Sequence, residues 1–518
     1  MASGPVAIKR ALPGWIAAAC VAAIVLGTLL AVALRAESGR GLGPAEWAAI
    51  RFTVFQAILS AVFSVMLAVP VARALARRRF KGRGFLISLL GAPFILPVIV
   101  AVMGLLAVFG RSGLLNETLR MLGLTEVSIY GLHGVVLAHV FFNLPLATRL
   151  ILQGWQDIPS ERFRLAAQLG FASRDVFRTL EAPMLLRTLP GAAAIIFAIC
   201  LSSFAVALTL GGGPRATTVE LAIYQAFRFD FDLGRAALLS CVQIALVGAA
   251  ALAALKLSSR DGFGSGLDRP VQRWDAQGPW PRALDAAIIS LAALFLILPI
   301  ALVILKGAPA LADLPTSVWT AALTSVLIAL SSTVLMLALS LPVAIAAGTQ
   351  NARLEAVGLL GIAASPLVIG TGLFVIINPI ADPFALALPV TATVNAIMAM
   401  PFTLRIMVPT VRDTHASYHR LSMSLNLSGL SWLRLVLIPR LRPNLGFACG
   451  LTAAMSMGDL GVIALFADPQ TATLPLQMYR LMGAYRMELA SGAAVLLLAM
   501  SFGIFWLFDK GGRAHADA

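Results

Sequence analysis

Long apolar runs recur along the whole chain and constrain its fold more than any other feature. Twelve of them are centred near residues 25, 64, 98, 143, 199, 245, 295, 333, 367, 395, 455 and 498. A helix needs about 20 apolar residues to cross a bilayer, and it satisfies its own backbone hydrogen bonds there. The sequence therefore predicts an all-α polytopic membrane protein with about twelve transmembrane helices.

The composition agrees with a bilayer environment. Charged residues make up 12% of the chain and hydrophobic residues 59%, whereas a soluble domain carries about 25% charged residues. The net charge of +15 is spread over short stretches between the apolar runs, so we interpret it as a topology signal and expect no nucleic-acid partner. No stretch is large and polar enough to form a soluble catalytic domain, so we expect the chain not to be an enzyme.

The residue types that hold metals or form disulfides show no useful spacing. All four cysteines lie inside apolar runs, which is typical of small buried apolar residues. The histidines share no metal-ligand spacing. We therefore expect neither a disulfide framework nor a metal site from these residues: Cys20, Cys200, Cys241, Cys449, His133, His139, His415 and His419.

Arginine in the short loops predicts the orientation. The stretch 72–84 holds six basic residues and no acid, so we expect it to be cytoplasmic. With twelve spans, both termini, the loops 154–187 and 405–442 and the linker 257–283 then face the same side, together with their arginines. The first apolar run is too long for a signal peptide, so we expect a retained span in the bacterial inner membrane.

A Gly-, Pro- and charge-rich linker, 257–283, divides the chain into a first half, 1–256, and a second half, 284–518, each with six candidate spans. Six identities recur at one offset, for example from 145 to 401, which favours a duplicated bundle. We expect the halves to be related by an axis along the membrane normal. The matching pairs are Pro145 and Pro401, Arg149 and Arg405, Asp157 and Asp413, Arg164 and Arg420, Leu169 and Leu425, and Pro183 and Pro439.

The repeat is centred on two loops, each with a helical stretch, then Gly170 or Asn426, then a second amphipathic stretch that leads into Pro183 or Pro439. Glycine and asparagine readily adopt left-handed backbone angles, so a helix–turn–helix is predicted in both loops. The alternative is an ordinary amphipathic helix on the membrane surface. Two matching copies favour a specific role.

These loops resemble the EAA loop of ABC importer permeases, and the resemblance is clearest in RLAAQLG, from Arg164 to Gly170. In that family the loop docks onto a cytoplasmic ABC ATPase dimer. The resemblance implies the same partner here, with ATP used by that partner and no cofactor bound by this chain. It assigns ATPase coupling to Arg164, Ala166, Ala167, Gly170, Pro183, Arg420, Leu425, Asn426 and Pro439.

The chain departs from the family pattern at two points. Arg164 and Arg420 stand where the family has glutamate, and Asn426 replaces the glycine in the second copy. The usual ionic contact through glutamate is therefore in question. An arginine at these positions suits an acidic surface on the ATPase instead.

The segment 202–240 resembles the permeases of thiamine and thiamine diphosphate importers. The resemblance implies a thiamine-transporting permease of two fused halves, with a periplasmic solute-binding protein as a partner and membrane lipid around it. Fused permeases for ferric iron or phosphonate share this architecture and stay open as alternatives. A twelve-span secondary transporter and a membrane-embedded enzyme are less favoured, because few acids and no polar catalytic cluster lie at membrane depth.

Polar residues near the outer mouth are candidates for the substrate pathway. Asp459 lies inside an apolar run, and its counterpart in the first half is Ser203. A carboxylate suits a cationic thiazolium ring, but a hydrogen bond between helices, or a span that ends earlier, explains Asp459 equally well. The glycines 211–213 are either a tight turn or an anion contact beside Arg215. Further candidates are Tyr224, Glu220 and Tyr479.

Overall fold

The structure is a computed structural model that describes residues 7–36, 41–91, 95–213, 216–257, 273–427, 429–466 and 472–513. Within these ranges the chain is helical and contains no β-strand. The helices before the linker are α1 (Ala7–Arg35), α2 (Pro44–Arg77), α3 (Arg83–Leu89), α4 (Val98–Phe109), α5 (Leu114–Met121), α6 (Leu132–Gln156), α7 (Ser160–Gln168), α8 (Ser173–Val176), α9 (Ala182–Leu201), α10 (Phe204–Leu210), α11 (Val219–Arg228) and α12 (Leu233–Leu257).

The helices after the linker follow an order of long and short elements similar to that of the helices before it. They are α13 (Pro279–Gly307), α14 (Thr316–Thr349), α15 (Val357–Ala363), α16 (Pro366–Ile377), α17 (Ala387–Ser424), α18 (Gly429–Trp432), α19 (Ile438–Met457), α20 (Gly461–Phe466), α21 (Leu474–Gly483) and α22 (Met487–Arg513). The division into two homologous halves remains a prediction, which this order favours.

The described residues form 11 segments that are long and apolar enough to span a membrane, and the chain is a multi-pass membrane protein. The candidate run near 367 is the shorter helix α16, of 12 residues. At about 1.5 Å per residue, such a helix is shorter than the hydrocarbon core. The run near 98 reaches spanning length only when α4 and α5 are counted together. Of the twelve predicted spans, eleven are long enough among the described residues to cross a membrane, and the twelfth is the short helix α16.

The first helix of each half packs against the other half. Helix α1 packs against α14 and α16, and α13 packs against α4 and α2. Glycine permits both crossings, because a methyl group at Gly104 would lie 2.8 Å from the Pro299 carbonyl oxygen, and one at Gly372 would lie 2.6 Å from the Thr28 carbonyl oxygen. Close backbone contact through small residues is a common way for membrane helices to associate.

Buried polar side chains link the spans inside each half. In the first half Ser60 Oγ lies 3.1 Å from His139 Nδ1. In the second half Asn395 donates to Ser456 Oγ at 3.0 Å, and the same oxygen lies 2.9 Å from Ser332 Oγ. These hydrogen bonds satisfy polar groups that would otherwise be costly in an apolar interior.

The basic stretch, the first repeated loop and the end of the linker lie at one end of the bundle. Arg78 Nε of the basic stretch lies 2.6 Å from Asp285 Oδ2 in α13, and Arg77 also contacts this carboxylate. Arg73 reaches Glu181 of the first repeated loop at 2.8 Å. These contacts agree with the predicted grouping of the arginine-rich loops. Which side of the membrane this end faces stays a prediction.

Candidate coupling surface and transport pathway

The first repeated loop, which we call coupling loop 1 (157–187), contains a capped helix–turn–helix. Helix α7 ends in a left-handed turn at Gly170, whose φ is 68°. The Phe171 N–H donates to the Ala166 carbonyl at 3.0 Å, and the Gly170 N–H donates to the Ala167 carbonyl at 3.1 Å. This hydrogen-bond pair is the Schellman motif, which glycine favours. The predicted left-handed turn is confirmed here.

The second repeated loop, coupling loop 2 (413–442), ends its first helix in the same way. Asn426 has a φ of 50°. The Leu427 N–H donates to the Ser422 carbonyl at 2.8 Å, and the Asn426 N–H donates to the Met423 carbonyl at 3.1 Å. Asparagine tolerates this conformation better than most residues, so the predicted turn is confirmed in this copy also.

Coupling loop 2 differs from coupling loop 1 in how its first helical stretch is connected to the preceding span. Its first helical stretch is the end of the 38-residue helix α17, whereas α7 is a separate helix of nine residues. Pro159 explains the difference, because a proline disfavours the helical conformation of the preceding residue. His415 occupies the corresponding position in the second copy, and the helix continues through it.

Each coupling loop presents exposed leucines at matching positions. The exposed fractions are 56% for Leu165 and 62% for Leu169 in loop 1, and 52% for Leu421 and 60% for Leu425 in loop 2. Exposed apolar side chains that recur on two loops are typical of an interaction surface. Arg164 and Arg420, each one residue before a leucine, are exposed as well.

The other predicted coupling residues divide by burial. Ala166 is buried at 4% exposure and holds α7 against the bundle. The remaining ones are exposed, namely Ala167, Gly170, Pro183, Asn426 and Pro439. The two prolines follow a π-helical turn, Phe177–Glu181 in loop 1 and Leu433–Leu437 in loop 2. Proline lacks an N–H and crowds the preceding turn, and a wider turn accommodates both effects.

A buried ionic cluster in coupling loop 1 was not found by sequence reasoning. Glu181 is fully buried, and its carboxylate accepts hydrogen bonds from Arg73 Nε at 2.8 Å and from Arg273 Nη1 at 2.6 Å. Trp155 Nε1 lies 3.4 Å from the same carboxylate. The sequence signal for this cluster is Glu181, an acid two residues before the repeated Pro183. The second copy has Leu437 at the matching position.

Asp459 lies in an interruption between two helices. Helix α19 ends at Met457 and α20 begins at Gly461, so the helix is interrupted inside a candidate span that runs from Gly429 to Phe466. One carboxylate oxygen, Oδ1, accepts a hydrogen bond from the Gly461 N–H at 3.1 Å. The other, Oδ2, is buried and makes no hydrogen bond of ordinary geometry among the described residues. The Asn395 side chain and the backbone of Val462 and Ile463 nevertheless lie close enough to interact with this carboxylate. Interrupted helices of this kind form substrate sites in many transporters.

The matching interruption in the first half contains Ser203, between α9 and α10. The two interruptions lie side by side. A methyl group at Gly461 would lie 3.7 Å from Asp459 Oδ1 and 3.8 Å from Phe204 Cδ1. The next residue after Ser203 therefore borders the same space as Asp459.

A group of aromatic side chains lies next to Phe204. The Tyr224 ring packs edge-on against Phe204, with centroids 5.2 Å apart, and against Phe229 at 5.8 Å. Tyr479 of α21 is near enough to interact electrostatically with the Tyr224 phenol. The structure thus brings Tyr224 together with Phe204, Tyr479 and the Asp459 region.

One other candidate, Glu220, stands apart from this group. Glu220 is 1% exposed and accepts a hydrogen bond from Gln243 Nε2 at 3.1 Å. Ser365, at the start of α16, also contacts this carboxylate. Glu220 therefore joins α11, α12 and α16 in a closed contact, which is typical of a packing role. Arg215 lies outside the described residues.

No protein-family model matches the chain. The thiamine transport system permease protein of Brucella abortus is 40% identical over 524 residues, which cover 98% of this chain and 96% of the relative. This chain belongs to the family of thiamine transport system permease proteins. The Escherichia coli member is 38% identical, with 96% of this chain and 97% of the relative covered.

A further relative bears on the internal organisation of this permease. The molybdenum transport system permease protein ModB of Mycobacterium bovis is 30% identical over 262 residues. The match covers 49% of this chain and 97% of the relative. A complete permease of half the length therefore corresponds to about half of this one.

Proposed function

We propose that this chain is the membrane-spanning subunit of an ATP-driven importer that moves thiamine or its phosphates across the bacterial inner membrane. The identity of 38–40% with thiamine permeases over nearly the full length carries this proposal. The chain itself makes no covalent change to the substrate. A solute-binding protein delivers the substrate at the outer mouth, and a separate ATPase subunit supplies the energy.

The coupling loops are the proposed contact with the ATPase dimer. Each loop offers a helix end with two exposed leucines beside an exposed arginine, Arg164 or Arg420. Two copies suit a dimer, because each ATPase subunit then receives one helix. Leucine supplies apolar area, and arginine suits carboxylates on the ATPase surface.

Charge reversal tests the coupling role. In Arg164→Glu/Arg420→Glu we expect much weaker co-purification of the ATPase, because two attractive contacts become repulsive. The matched control is Arg120→Glu, which reverses an exposed arginine outside the coupling loops. Unchanged assembly in the double variant would contradict the role assigned to the arginines.

Asp459 and the nearby aromatic residues are the proposed contact for the substrate. The thiazolium ring of thiamine is a cation, and a buried carboxylate that no cationic side chain pairs among the described residues offsets its charge where water is scarce. Phe204 and Tyr224 add aromatic faces and edges, which favour both a flat ring and a positive charge. The two helix interruptions open and close around this point as the halves move.

Asp459→Asn tests the contact, since it keeps the shape and removes the charge. We expect ATP-dependent uptake of labelled thiamine to fall strongly while ATPase co-purification stays unchanged. Glu126→Gln removes the charge of an exposed glutamate and serves as the control. If Asp459→Asn takes up thiamine as the wild type does, Asp459 is a packing residue.

Uptake experiments also decide between substrates and energy sources. Competition by unlabelled thiamine, thiamine diphosphate, ferric iron and a phosphonate ranks the solutes against one another. Uptake that requires the partner ATPase supports the importer. Uptake that survives its deletion would indicate a secondary transporter instead.

A further inference from the structure

The end of the linker between the two halves is built into coupling loop 1. Arg273 and Asp275 lie in the last part of the linker, yet their side chains are only 4% and 1% exposed. The Arg273 guanidinium donates from Nε and Nη2 to the two Asp275 oxygens, each at 2.7 Å. Its remaining nitrogen, Nη1, donates to Glu181 at 2.6 Å.

The same three-residue segment contacts every part of the loop. The Arg273 guanidinium lies 5.1 Å from the centre of the Phe163 ring in α7. Trp274 Nε1 donates to the Phe171 carbonyl, just after the left-handed turn, at 3.3 Å. Asp275 is hydrogen-bonded to Ser173 at the start of α8. The segment therefore links α7, the turn, α8 and the π-helical turn to one another.

The charges of this cluster balance. Glu181 and Asp275 are the acids, and Arg73 and Arg273 are the bases. Burial raises the pKa of Asp275, but its hydrogen bonds and the charge of Arg273 outweigh this and hold the pKa below its ordinary value. Buried charges are stable only when paired and hydrogen-bonded in this manner, and loss of one partner is strongly unfavourable.

The described residues of coupling loop 2 show no equivalent of this cluster. Leu437 occupies the position of Glu181 and is fully buried, and Val411 occupies the position of Trp155. Loop 2 does not need the cluster, because its docking helix is continuous with the span α17. Movement of that helix moves the span directly. Helix α7 is separated from α6 by Pro159, so other contacts must hold it to the spans.

We propose that Arg273, Trp274 and Asp275 form a brace that holds α7, the left-handed turn and α8 to Glu181, and that efficient conversion of ATP hydrolysis into transport depends on it. Glu181 in turn contacts Arg73 of α2 and Trp155 of α6. The proposal rests on the proposed function of the chain. Arg273 and Glu181 are positioning residues in it, because they act through the loop and not on the substrate. The brace gives the two coupling loops different mechanical connections to an otherwise similar bundle.

The test uses the complete transporter, with its ATPase and solute-binding protein, reconstituted in liposomes. ATP hydrolysis and thiamine uptake are measured together for wild type, Arg273→Ala and the control Arg120→Ala. We expect several-fold more ATP hydrolysed per thiamine in Arg273→Ala, with ATPase co-purification retained. Arg273→Lys keeps the positive charge but loses the bidentate contact with Asp275, so its ratio is expected to lie between those of the wild type and Arg273→Ala. Arg120→Ala is expected to match the wild type.

Milder variants keep the test decisive if Arg273→Ala fails to fold. Trp274→Phe removes the indole N–H and some ring volume but keeps an aromatic side chain. Asp275→Asn removes the charge and keeps the shape. We expect both to raise the ratio of ATP to thiamine. An unchanged ratio in the folded variants would refute the brace. A wild-type complex without ATP-dependent thiamine uptake would instead refute the proposed function.

Discussion

The left-handed turn of coupling loop 1 gives the sharpest quantitative prediction. Gly170 has a φ of 68°, and a methyl group added there meets nothing within 4 Å. Substitution by alanine therefore creates no clash, and its cost is that of the backbone conformation alone. For a residue with a Cβ, the left-handed region costs about 1 kcal/mol relative to glycine.

This cost weakens the turn that presents the exposed leucines of α7. A penalty of about 1 kcal/mol changes an equilibrium about fivefold. The apparent affinity for the ATPase falls with the fraction of permease in which the loop is competent to bind. We therefore expect Gly170→Ala to weaken ATPase binding by up to about fivefold, measured by titration of the ATPase onto permease in nanodiscs.

Gly123 provides a closely matched control. It also has a φ of 68°, and a methyl group there also meets nothing within 4 Å. It ends helix α5 with the same hydrogen-bond pair, from Gly123 to Arg120 at 3.1 Å and from Leu124 to Leu119 at 2.8 Å, but lies outside the coupling loops. Gly123→Ala has the same backbone cost and should leave ATPase affinity unchanged. Equal affinities for the two variants would refute the coupling argument.

Three further predictions concern stability, measured by thermal unfolding in detergent. Gly104→Ala should destabilise by about 1–3 kcal/mol through overpacking against Pro299, while Gly248→Ala, with open space around it, should not. Ser456→Ala removes two buried hydrogen bonds and should cost about 1 kcal/mol. The pKa of Asp275 is lower in the folded protein than in the unfolded chain. The ionised carboxylate therefore stabilises the fold at pH values above its unfolded-state pKa, and this stabilisation is lost as the pH falls through its folded-state pKa. The stability difference between wild type and Asp275→Asn should therefore shrink as the pH falls through and below the ordinary titration range of aspartate.

Much of the candidate coupling surface could be predicted from the sequence. The repeated set around Arg164 and Arg420 located both loops, and Gly170 and Asn426 predicted their turns. These features depend on local backbone preferences, which the sequence carries within a few residues. The continuation of α17 through the second copy depends on the absence of a proline at 415, which the repeated positions do not include.

The pathway residues were harder to predict. The repeat offset pairs Asp459 with Ser203. Only the fold shows that the two helix interruptions that contain them lie next to each other, close to Gly461. Glu220 resembled a pathway residue in the sequence, yet it lies in a closed contact with Gln243. A carboxylate in an apolar segment can face a pathway or a helix contact, and only the packing of neighbouring helices separates the two.

The sequence alone determined that this chain crosses a membrane many times and that it carries two similar loops. Hydrophobic length and local turn chemistry are properties of short segments, so they need no tertiary information. Tertiary structure decided that α1 and α13 pack against the opposite halves and that Arg273 of the linker reaches Glu181. Those contacts join residues far apart in the chain, and their energy comes from close packing and charge pairing that exist only once the helices have assembled.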